Sequence, residues 1–335
     1  MDRDSIDDVG RVPHGSEPES EGIDFSANVN PEIPPGIESV YESALDSSRS
    51  YPPDAAPTYR FAAGEYVDVD PEAVIPTAGG LAAIRLALSV TVSPEDSVLI
   101  PYPSFGEYAR EVRLQGGKPE FAPHDELLDA DPEPHELAVV CNPNNPTGAA
   151  YDARDLWAFV DRAREAETPV LVDEAFLGFT EEPTLAGTEG VIVARSLTKL
   201  FGLPGLRAGF AVATGDLRDR LETARPTWNV GVPAMEVGVQ VMRATDFIEE
   251  TRDRVRRERA QLRATLEDRY DIHESEAPFL LLEVDGSVTA LLERARERGV
   301  ILRDARTFRG LDSHVRVAVR MPSENRRLEE VLLHV

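Results

Sequence analysis

Cysteine and long apolar runs are the scarcest features of this sequence. Its single cysteine, Cys141, excludes an intramolecular disulfide and any cysteine-based metal cluster, and a thiol in the core is the simplest expectation. No apolar run approaches the roughly 20 residues of a membrane-spanning helix. The opening residues, Met-Asp-Arg-Asp, lack the basic flank and apolar stretch of a signal peptide. We therefore expect a cytoplasmic protein with no membrane contact.

Positive charge is also scarce. The 335 residues include 61 acidic and 35 basic side chains, which gives a formal net charge of −26. This charge argues against nucleic-acid binding because the phosphate backbone would be repelled, and anionic substrates must be held by local positive sites. Only two of the basic residues are lysines. Such a composition resembles that of proteins adapted to high salt, because molar salt shortens the electrostatic screening length to about 3 Å.

The two lysines restrict where amine chemistry can occur. Lys118 lies in the run Gln-Gly-Gly-Lys-Pro at positions 115–119, which predicts an exposed turn before a strand and a solvated charge. Lys199 instead follows a short apolar stretch, and a glycine-rich loop leads from it to Arg207. If the protein needs an amine nucleophile, the sequence favours Lys199.

The order of apolar and amphipathic segments predicts an α/β fold. Residues 1–35 are rich in Asp, Glu, Ser and Pro, and they predict an arm that lies over another surface. Apolar strands then alternate with helical patterns, which predicts an open, mainly parallel sheet covered on both faces. The predicted strands are Ser97–Pro101, Leu137–Cys141, Pro169–Asp173, Val191–Ala194 and Ala208–Ala213, and the predicted helices are Leu81–Val90, Phe105–Leu114 and Ala153–Ala166.

The C-terminal part predicts a smaller α+β domain. One long helix from Pro233 to Arg269, dense in Arg and Glu at spacings of three and four, connects it to the rest. Beyond this helix, the predicted strands are Phe279–Val284, Val300–Arg303 and Val315–Val319, and the predicted helices are Val288–Arg298 and Glu324–Leu333. We therefore divide the chain into an N-terminal arm over residues 1–40, a large domain over 41–235 and a small domain over 236–335.

The strongest local signal is the stretch 196–209, Ser-Leu-Thr-Lys-Leu-Phe-Gly-Leu-Pro-Gly-Leu-Arg-Ala-Gly. A lysine at the mouth of a sheet, beside an arginine, should have a depressed pKa, which favours the neutral amine that condenses with an aldehyde. The hydroxyl of Ser196 and the guanidinium of Arg207 suit a phosphate group. Taken alone, the stretch also fits a purely structural strand-loop-strand.

Two further segments end predicted strands at the same edge of the sheet, where ligands gather in such folds. The run Asn-Pro-Asn-Asn-Pro-Thr-Gly at 142–148 follows Cys141, and Asp173 begins Asp-Glu-Ala-Phe at the end of the next strand. An asparagine amide can donate to a phenolate oxygen, and a buried carboxylate can keep a pyridine nitrogen protonated. Asn-Pro turns and helix-capping Asp residues are each common in purely structural roles. The segments 142–148, 173–176 and 196–209 together, in this order, indicate one site.

With these motifs the chain resembles the fold-type I aminotransferases, which use pyridoxal 5′-phosphate (PLP), over nearly its whole length. The resemblance implies a mainly parallel seven-stranded sheet flanked by helices, a smaller α+β C-terminal domain and a homodimer with shared active sites. It also implies a Schiff base at Lys199, a salt bridge from Asp173 to the ring nitrogen and a hydrogen bond from Asn145 to the ring hydroxyl. The other implied contacts are Ser196, Arg207 and the backbone of Gly79, Gly80 and Leu81 with the PLP phosphate, Phe105 with the ring, and Tyr51 with the phosphate of the neighbouring subunit.

The sequence departs from the common pattern of that family in two places. Ala78, Gly80 and Ala82 stand where polar residues are frequent in the phosphate loop, so backbone donors must contribute more there. Phe176 stands where many relatives have a tyrosine that donates to the ring hydroxyl, which leaves Asn145 as the main partner of that group.

Within the family, the chain resembles the branch that contains histidinol-phosphate aminotransferase and threonine-phosphate decarboxylase. Four segments favour the decarboxylase, although Ser16 and Gly178 depart from its pattern: His14-Gly15 with Asp-Phe-Ser-Ala-Asn-Val-Asn-Pro at 24–31, Phe-Gly-Glu-Tyr-Ala-Arg at 105–110, Asp-Glu-Ala-Phe at 173–176, and the arginine segments 303–304 and 315–320. The resemblance implies decarboxylation of L-threonine O-3-phosphate to (R)-1-amino-2-propanol O-2-phosphate for cobalamin biosynthesis. An amino acid or histidinol-phosphate aminotransferase and a non-catalytic ligand-binding relative remain alternatives.

A substrate that carries both a carboxylate and a phosphate needs two anionic anchors. We expect Arg316 to bind the carboxylate, Arg303 and His14 to bind the phosphate, and Asn30 to be a further substrate contact. The competing interpretation makes Arg303 and Arg320 surface ion-pair residues and His14 a solvated residue of the arm. No metal site is expected.

Overall fold

The computed structural model describes residues 1–16 and 21–334. Its first elements are α1 (Arg3–Ile6), β1 (Ile23–Asp24), α2 (Ile37–Ser47), α3 (Pro57–Val67) and a 3₁₀ helix (Pro71–Ala73). The segment predicted as an arm, residues 1–35, thus contains two short regular elements, α1 and β1. The Asp2 carboxylate accepts a hydrogen bond from the Ser5 amide at the start of α1, and Phe25, which follows β1, is fully buried. Phe25, together with the pairing of β1 with the strand Val300–Ile301, anchors the acidic arm on the core.

The largest unit is a seven-stranded sheet with the order β2-β8-β7-β6-β5-β3-β4. β8 runs antiparallel to β2 and β7, whereas the other neighbouring strands are parallel. The predicted mainly parallel sheet is thus confirmed. In chain order its elements are β2 (Val74–Thr77), α4 (Gly80–Thr91), β3 (Ser97–Tyr102), α5 (Glu107–Leu114), β4 (Lys118–Pro123), β5 (Leu137–Cys141), α6 (Ala153–Glu165), β6 (Val170–Asp173), β7 (Val191–Ser196) and β8 (Gly209–Val212), with 3₁₀ helices at Leu127–Asp129, Leu177–Phe179 and Pro204–Leu206.

The central strands are apolar because both of their faces are covered. Leu137, Val139 and Cys141 of β5 belong to one buried cluster, and the alternating Ala138 and Val140 belong to another. A side-chain period of two therefore directs successive apolar residues of one strand into two separate cores. This arrangement explains why these strands stand out in the sequence.

Of the two edge strands, β2 was not predicted, whereas β4 was expected only as a strand, without stated bounds, after the turn that contains Lys118. β2 contains a proline, Pro76, and β4 begins at Lys118 and is only partly buried, so neither has the continuous apolar run of the central strands. Lys118 is nevertheless exposed and pairs with Glu95 at 2.5 Å, as expected of a solvated charge.

The single helix predicted from Pro233 to Arg269 is wrong, because the structure has two helices there. After α7 (Gly215–Ala224), the chain forms α8 (Val232–Met242) and α9 (Thr245–Leu266). Ala244 has φ −83° and ψ 62°, which is not helical and turns the chain between them. α8 is mostly apolar, whereas α9 is rich in Arg and Glu. An apolar helix needs to be buried and a charged helix needs a face in water, so the two segments are placed differently by the turn between them.

The C-terminal part contains a four-stranded antiparallel sheet, β12-β13-β10-β9. The segment 300–303, predicted as one strand, is divided between two sheets, because Val300 and Ile301 pair with β1 of the arm whereas Arg303 pairs with Arg316. None of the helices in the described ranges is long and apolar enough to span a bilayer. The elements are β9 (Asp271–Ile272), β10 (Phe279–Glu283), α10 (Val288–Glu297), β11 (Val300–Ile301), β12 (Arg303–Asp304), a 3₁₀ helix (Ala305–Thr307), β13 (His314–Ala318) and α11 (Pro322–Leu333).

Candidate active site

A cavity of about 470 Å³ lies where the carboxyl ends of β5, β6 and β7 meet the N-terminal arm and the C-terminal sheet. Ligands collect at this edge in open α/β sheets. Most of the predicted site residues line it, although they come from positions nearly 300 residues apart. Those that line it are His14, Gly80, Leu81, Phe105, Asn145, Asp173, Ser196, Lys199, Arg207, Arg303 and Arg316.

Lys199 lies in the turn that follows β7, and its side chain faces the cavity. The pKa of its amine is lowered to about 8, first because the amine is desolvated and then because Arg316 and Arg207 lie near it; Asp173 acts in the opposite direction. The sequence predicted the lowering and attributed it to the arginine, but burial is the larger cause. A substantial fraction of this amine is therefore neutral near physiological pH.

Asp173 ends β6 and is buried. Its Oδ2 accepts a 2.6 Å hydrogen bond from the Tyr108 hydroxyl, and its Oδ1 accepts one of 3.0 Å from the Ala175 amide. Burial raises the pKa of this carboxyl, and the two hydrogen bonds oppose that effect. Tyr108 was not singled out in the sequence, although it holds the carboxylate in place.

Arg316 projects from β13 into the cavity beside Asn145. Its Nη1 donates to Asn145 Oδ1, and its Nη2 donates to the carbonyl of Ser26 at 3.0 Å. Burial, and then the neighbouring Arg303, lowers the pKa of Arg316 to about 9, so this guanidinium remains cationic at neutral pH. A buried cation with few protein partners is suited to an anionic ligand.

An anion cradle lies at the start of α4. Gly79 has φ 92°, and a Cβ at this position would lie 2.6 Å from Nη2 of Arg207. The N-terminal amides of the 12-residue helix α4 favour negative charge. The hydroxyls of Ser196 and Thr198 are 2.8 Å apart at the end of β7. Thr198, which sequence reasoning missed, thus adds a second hydroxyl to this cradle.

The N-terminal arm closes the opposite side of the cavity. The His14 ring lies 5.8 Å from the Phe105 ring, centroid to centroid, and His14 Nε2 is 2.9 Å from a carboxylate oxygen of Glu107. Arg303 is buried and donates to the Pro13 carbonyl and the Thr307 hydroxyl at 2.8 Å each. Burial lowers the pKa of Arg303. Its position differs from that of Arg320, which pairs with Glu324 at 2.9 Å and does not line the cavity.

The prediction that Asn30 contacts the substrate is wrong. Its amide donates to the Leu200 carbonyl at 2.8 Å and its Oδ1 accepts from Arg254 at 2.5 Å, so its polar atoms bind the protein interior. Asn28 lines the cavity instead, and its buried Oδ1 has no hydrogen-bond partner among the described residues. Asn28 and Asn30 are two positions apart, and the sequence alone does not show which of them faces the cavity.

Tyr51 is 78% exposed and stacks on Trp228 with ring centroids 4.3 Å apart. It lines a separate hollow of about 520 Å³, which is bounded by α3 and α8. The contact expected of Tyr51 is with a neighbouring subunit. In this chain it lies on the surface and outside the cavity that contains Lys199.

Comparison with known proteins identifies the family. A family model described as aminotransferase class I and II matches residues 23–332. The chain belongs to this family. It is 32% identical to a Caldanaerobacter subterraneus protein named "Putative threonine-phosphate decarboxylase", over 91% of this chain and 88% of that protein. It is 31% identical to a histidinol-phosphate aminotransferase of Natronomonas pharaonis, over 92% of this chain and 90% of that one.

Solved structures agree on the fold. The crystal structure of L-threonine-O-3-phosphate decarboxylase from Porphyromonas gingivalis matches with a TM-score of 0.84 at 26% identity, and the match covers 92% of this chain and 98% of that one. Class I and II aminotransferases use pyridoxal 5′-phosphate. The residues of this chain fit that group, because one cavity combines a lysine of lowered pKa, a buried carboxylate and an anion cradle.

Proposed function

We propose that this aminotransferase-family enzyme decarboxylates L-threonine O-3-phosphate to (R)-1-amino-2-propanol O-2-phosphate, a reaction of cobalamin biosynthesis. One observation carries the proposal: Arg303, Arg316 and His14 line the same cavity as Lys199. Two of these residues are buried arginines, and a substrate with a carboxylate and a phosphate offers one anion to each. The likeness to proteins named as threonine-phosphate decarboxylases points in the same direction.

The cofactor would be held at both ends. Lys199 would be joined to its aldehyde carbon, Asp173 would face the ring nitrogen, and Asn145 would donate to the ring hydroxyl through its amide. Phe105 would lie against the ring. The phosphate would lie in the cradle formed by Ser196, Arg207 and the backbone of Gly79, Gly80 and Leu81, and we add Thr198 to this set. When bound, the cofactor supplies an electron sink next to the α-carbon of the substrate.

Reaction specificity depends on where the substrate carboxylate is anchored, because the bond perpendicular to the cofactor ring breaks. We assign the carboxylate to Arg316 and the phosphate to Arg303 and His14, with Asn28 as an additional donor through its amide. Asn145 and Ser26 accept hydrogen bonds from Arg316 and so fix the direction of its guanidinium. Anchoring of the carboxylate and the phosphate together orients the substrate for loss of carbon dioxide.

Lys199 would also act as a proton donor after carbon dioxide has left. Its amine, with a pKa lowered to about 8, holds a proton in part of the population and can deliver it to the α-carbon. Asp173 would face the ring nitrogen, and the Tyr108 hydroxyl holds its carboxylate in place. A positive charge at that nitrogen would lower the pKa of Asp173, which burial raises, and so would favour the ionised carboxylate.

One observation favours a second function. The 31% identity to a histidinol-phosphate aminotransferase nearly equals that to the decarboxylase relative, and both substrates are phosphorylated amines. Incubation of the purified holoenzyme with L-threonine O-3-phosphate, without a 2-oxo acid, should release carbon dioxide stoichiometrically. Turnover of histidinol phosphate that requires a 2-oxo acid, with no carbon dioxide from threonine phosphate, would establish the aminotransferase instead.

The proposal includes a homodimer with shared active sites, and a division of the chain into an arm and two domains. The exposed Tyr51 and Trp228 form an aromatic pair on the surface, and we propose that Tyr51 reaches the phosphate cradle of the other subunit. We retain the arm at residues 1–40, the large domain at 41–235 and the small domain at 236–335 as part of this proposal.

A further inference from the structure

We propose that Glu107 is a positioning residue that holds His14, and with it the arm segment 10–16, over the side of the cavity that takes the substrate phosphate. This inference rests on the proposed function. Glu107 does not itself line the cavity. It acts through the residues that it binds.

Glu107 is the first residue of α5, and it is 5% exposed. A buried carboxylate is costly unless charged or hydrogen-bonding partners surround it. One oxygen of Glu107 lies 2.9 Å from His14 Nε2, and the other lies 3.3 Å from Nη1 of Arg110. Because His14 is 93 positions away along the chain, this contact closes a loop between the arm and the large domain.

Three further contacts hold the same segment. Nε of Arg110 donates to the Gly10 carbonyl at 3.0 Å, and Nη2 of Arg303 donates to the Pro13 carbonyl at 2.8 Å. Val12 packs so closely on Gly106 that a Cβ at Gly106 would lie 2.9 Å from its Cγ1. The segment thus joins α5 of the large domain to β12 of the C-terminal part. Among these contacts, that of Glu107 is made to a side chain of the segment itself, His14, which lines the cavity.

The chemistry of the imidazole gives this contact a role in specificity. Nε2 of His14 is bound to the Glu107 carboxylate, so α5 sets the orientation of the imidazole and the side of the ring that faces the cavity. The substrate phosphate would then meet His14 and Arg303, both held at fixed positions by contacts with the same segment. A substrate without the phosphate gains nothing from this arrangement.

The variant Glu107→Gln retains the side-chain shape and removes the charge. We expect the KM for L-threonine O-3-phosphate to rise about tenfold, as for loss of one charge-assisted contact, while kcat changes less than twofold. Binding of unphosphorylated L-threonine, followed through the cofactor absorbance, should be unchanged. Glu95→Gln is the matched control, because Glu95 forms an exposed ion pair with Lys118, and it should leave both values unchanged.

Limited proteolysis provides a readout that does not depend on turnover. Arg11 is exposed within the arm segment, and trypsin should cleave after it more slowly when O-phospho-L-threonine is bound to the wild-type holoenzyme. In Glu107→Gln this protection should be lost, whereas Glu95→Gln should keep it. An unchanged KM together with unchanged protection would overturn the inference. If the wild-type enzyme released no carbon dioxide but showed protection that Glu107→Gln lacked, the proposed reaction would fail and the role of Glu107 would stand.

Discussion

At the scale of single residues, the two lysines have opposite environments. Desolvation and two arginines lower the pKa of Lys199 to about 8, whereas the hydrogen bond with Glu95 raises the pKa of Lys118. At pH 8 about half of an amine with a pKa of 8 is neutral, but less than about 1% of an ordinary lysine is. As the pH rises, Lys199 therefore loses its proton first, although Lys118 is the more exposed residue.

This difference predicts selective labelling. In the protein stripped of cofactor, a small amine-reactive reagent at pH 8 should modify Lys199 at least about tenfold faster than Lys118, because only the neutral amine reacts. Peptide mass spectrometry after brief exposure measures both rates, and the Lys199 rate should level off above its pKa. A Lys118→Arg variant should leave that rate unchanged. A Lys199 rate that keeps rising well above pH 8, as for an ordinary lysine, would contradict the lowered pKa assigned to Lys199.

Single residues also differ in how well the sequence reveals them. Lys199 and Asp173 were found because each follows an apolar strand, and strand ends of a parallel sheet meet at one edge. Tyr108 was missed because its contact with Asp173 bridges 65 positions and leaves no local pattern. Asn28 and Asn30 lie in an irregular segment, so no side-chain period predicts which of them faces the cavity. Packing against Leu200 and Arg254 decides it.

At the scale of elements, the loop from β2 to α4 determines the shape of the anion cradle. Gly79 takes φ 92° there, a conformation that residues with a side chain rarely adopt. The first amides of α4 and the guanidinium of Arg207 converge on the same space. An added methyl group at Gly79 could be accommodated only if the Arg207 guanidinium moved away, because the closest atoms belong to that side chain.

The variant Gly79→Ala should therefore weaken cofactor binding. The added Cβ must displace the Arg207 guanidinium, which it would approach to 2.6 Å, and we expect the dissociation constant for PLP to rise at least about tenfold. Gly190→Ala is the matched control, because Gly190 has φ 77° but no atom within 4 Å of an added Cβ. Both variants carry the backbone strain, so equal PLP affinities in an absorbance titration would show that the contact with Arg207 is unimportant.

The elements that the sequence did not reveal share a physical reason. β3, β5, β6, β7 and β8 are buried on both faces and were found by their apolar runs. β4 is half covered and begins with a lysine, so the strand expected after Lys118 has no continuous apolar run from which its bounds could be read. The break between α8 and α9 was missed because neither glycine nor proline marks it: Ala244, where the chain leaves the helical conformation, is itself a good helix former.

At the scale of the whole molecule, the net charge of −26 sets two electrostatic effects against each other. Ion pairs between exposed side chains, such as Arg256 with Glu181 and Arg327 with Glu330, contribute about 0–1 kcal/mol each and weaken in salt. Repulsion among the excess carboxylates also weakens in salt, which stabilises the folded chain. Because acidic residues outnumber basic ones by 61 to 35, we expect the second effect to be the larger.

We therefore predict that the protein becomes more stable in salt. At pH 7, raising KCl from about 0.1 M to about 2 M shortens the screening length from about 10 Å to about 2 Å, and the Tm of the holoenzyme should rise. Near the isoelectric point of about 4.6 the repulsion is nearly absent, so the same change of salt should raise the Tm much less. Thermal unfolding at two pH values and several salt concentrations measures both. A Tm that falls with KCl at pH 7 would mean that the arginine ion pairs contribute more to stability than the repulsion costs.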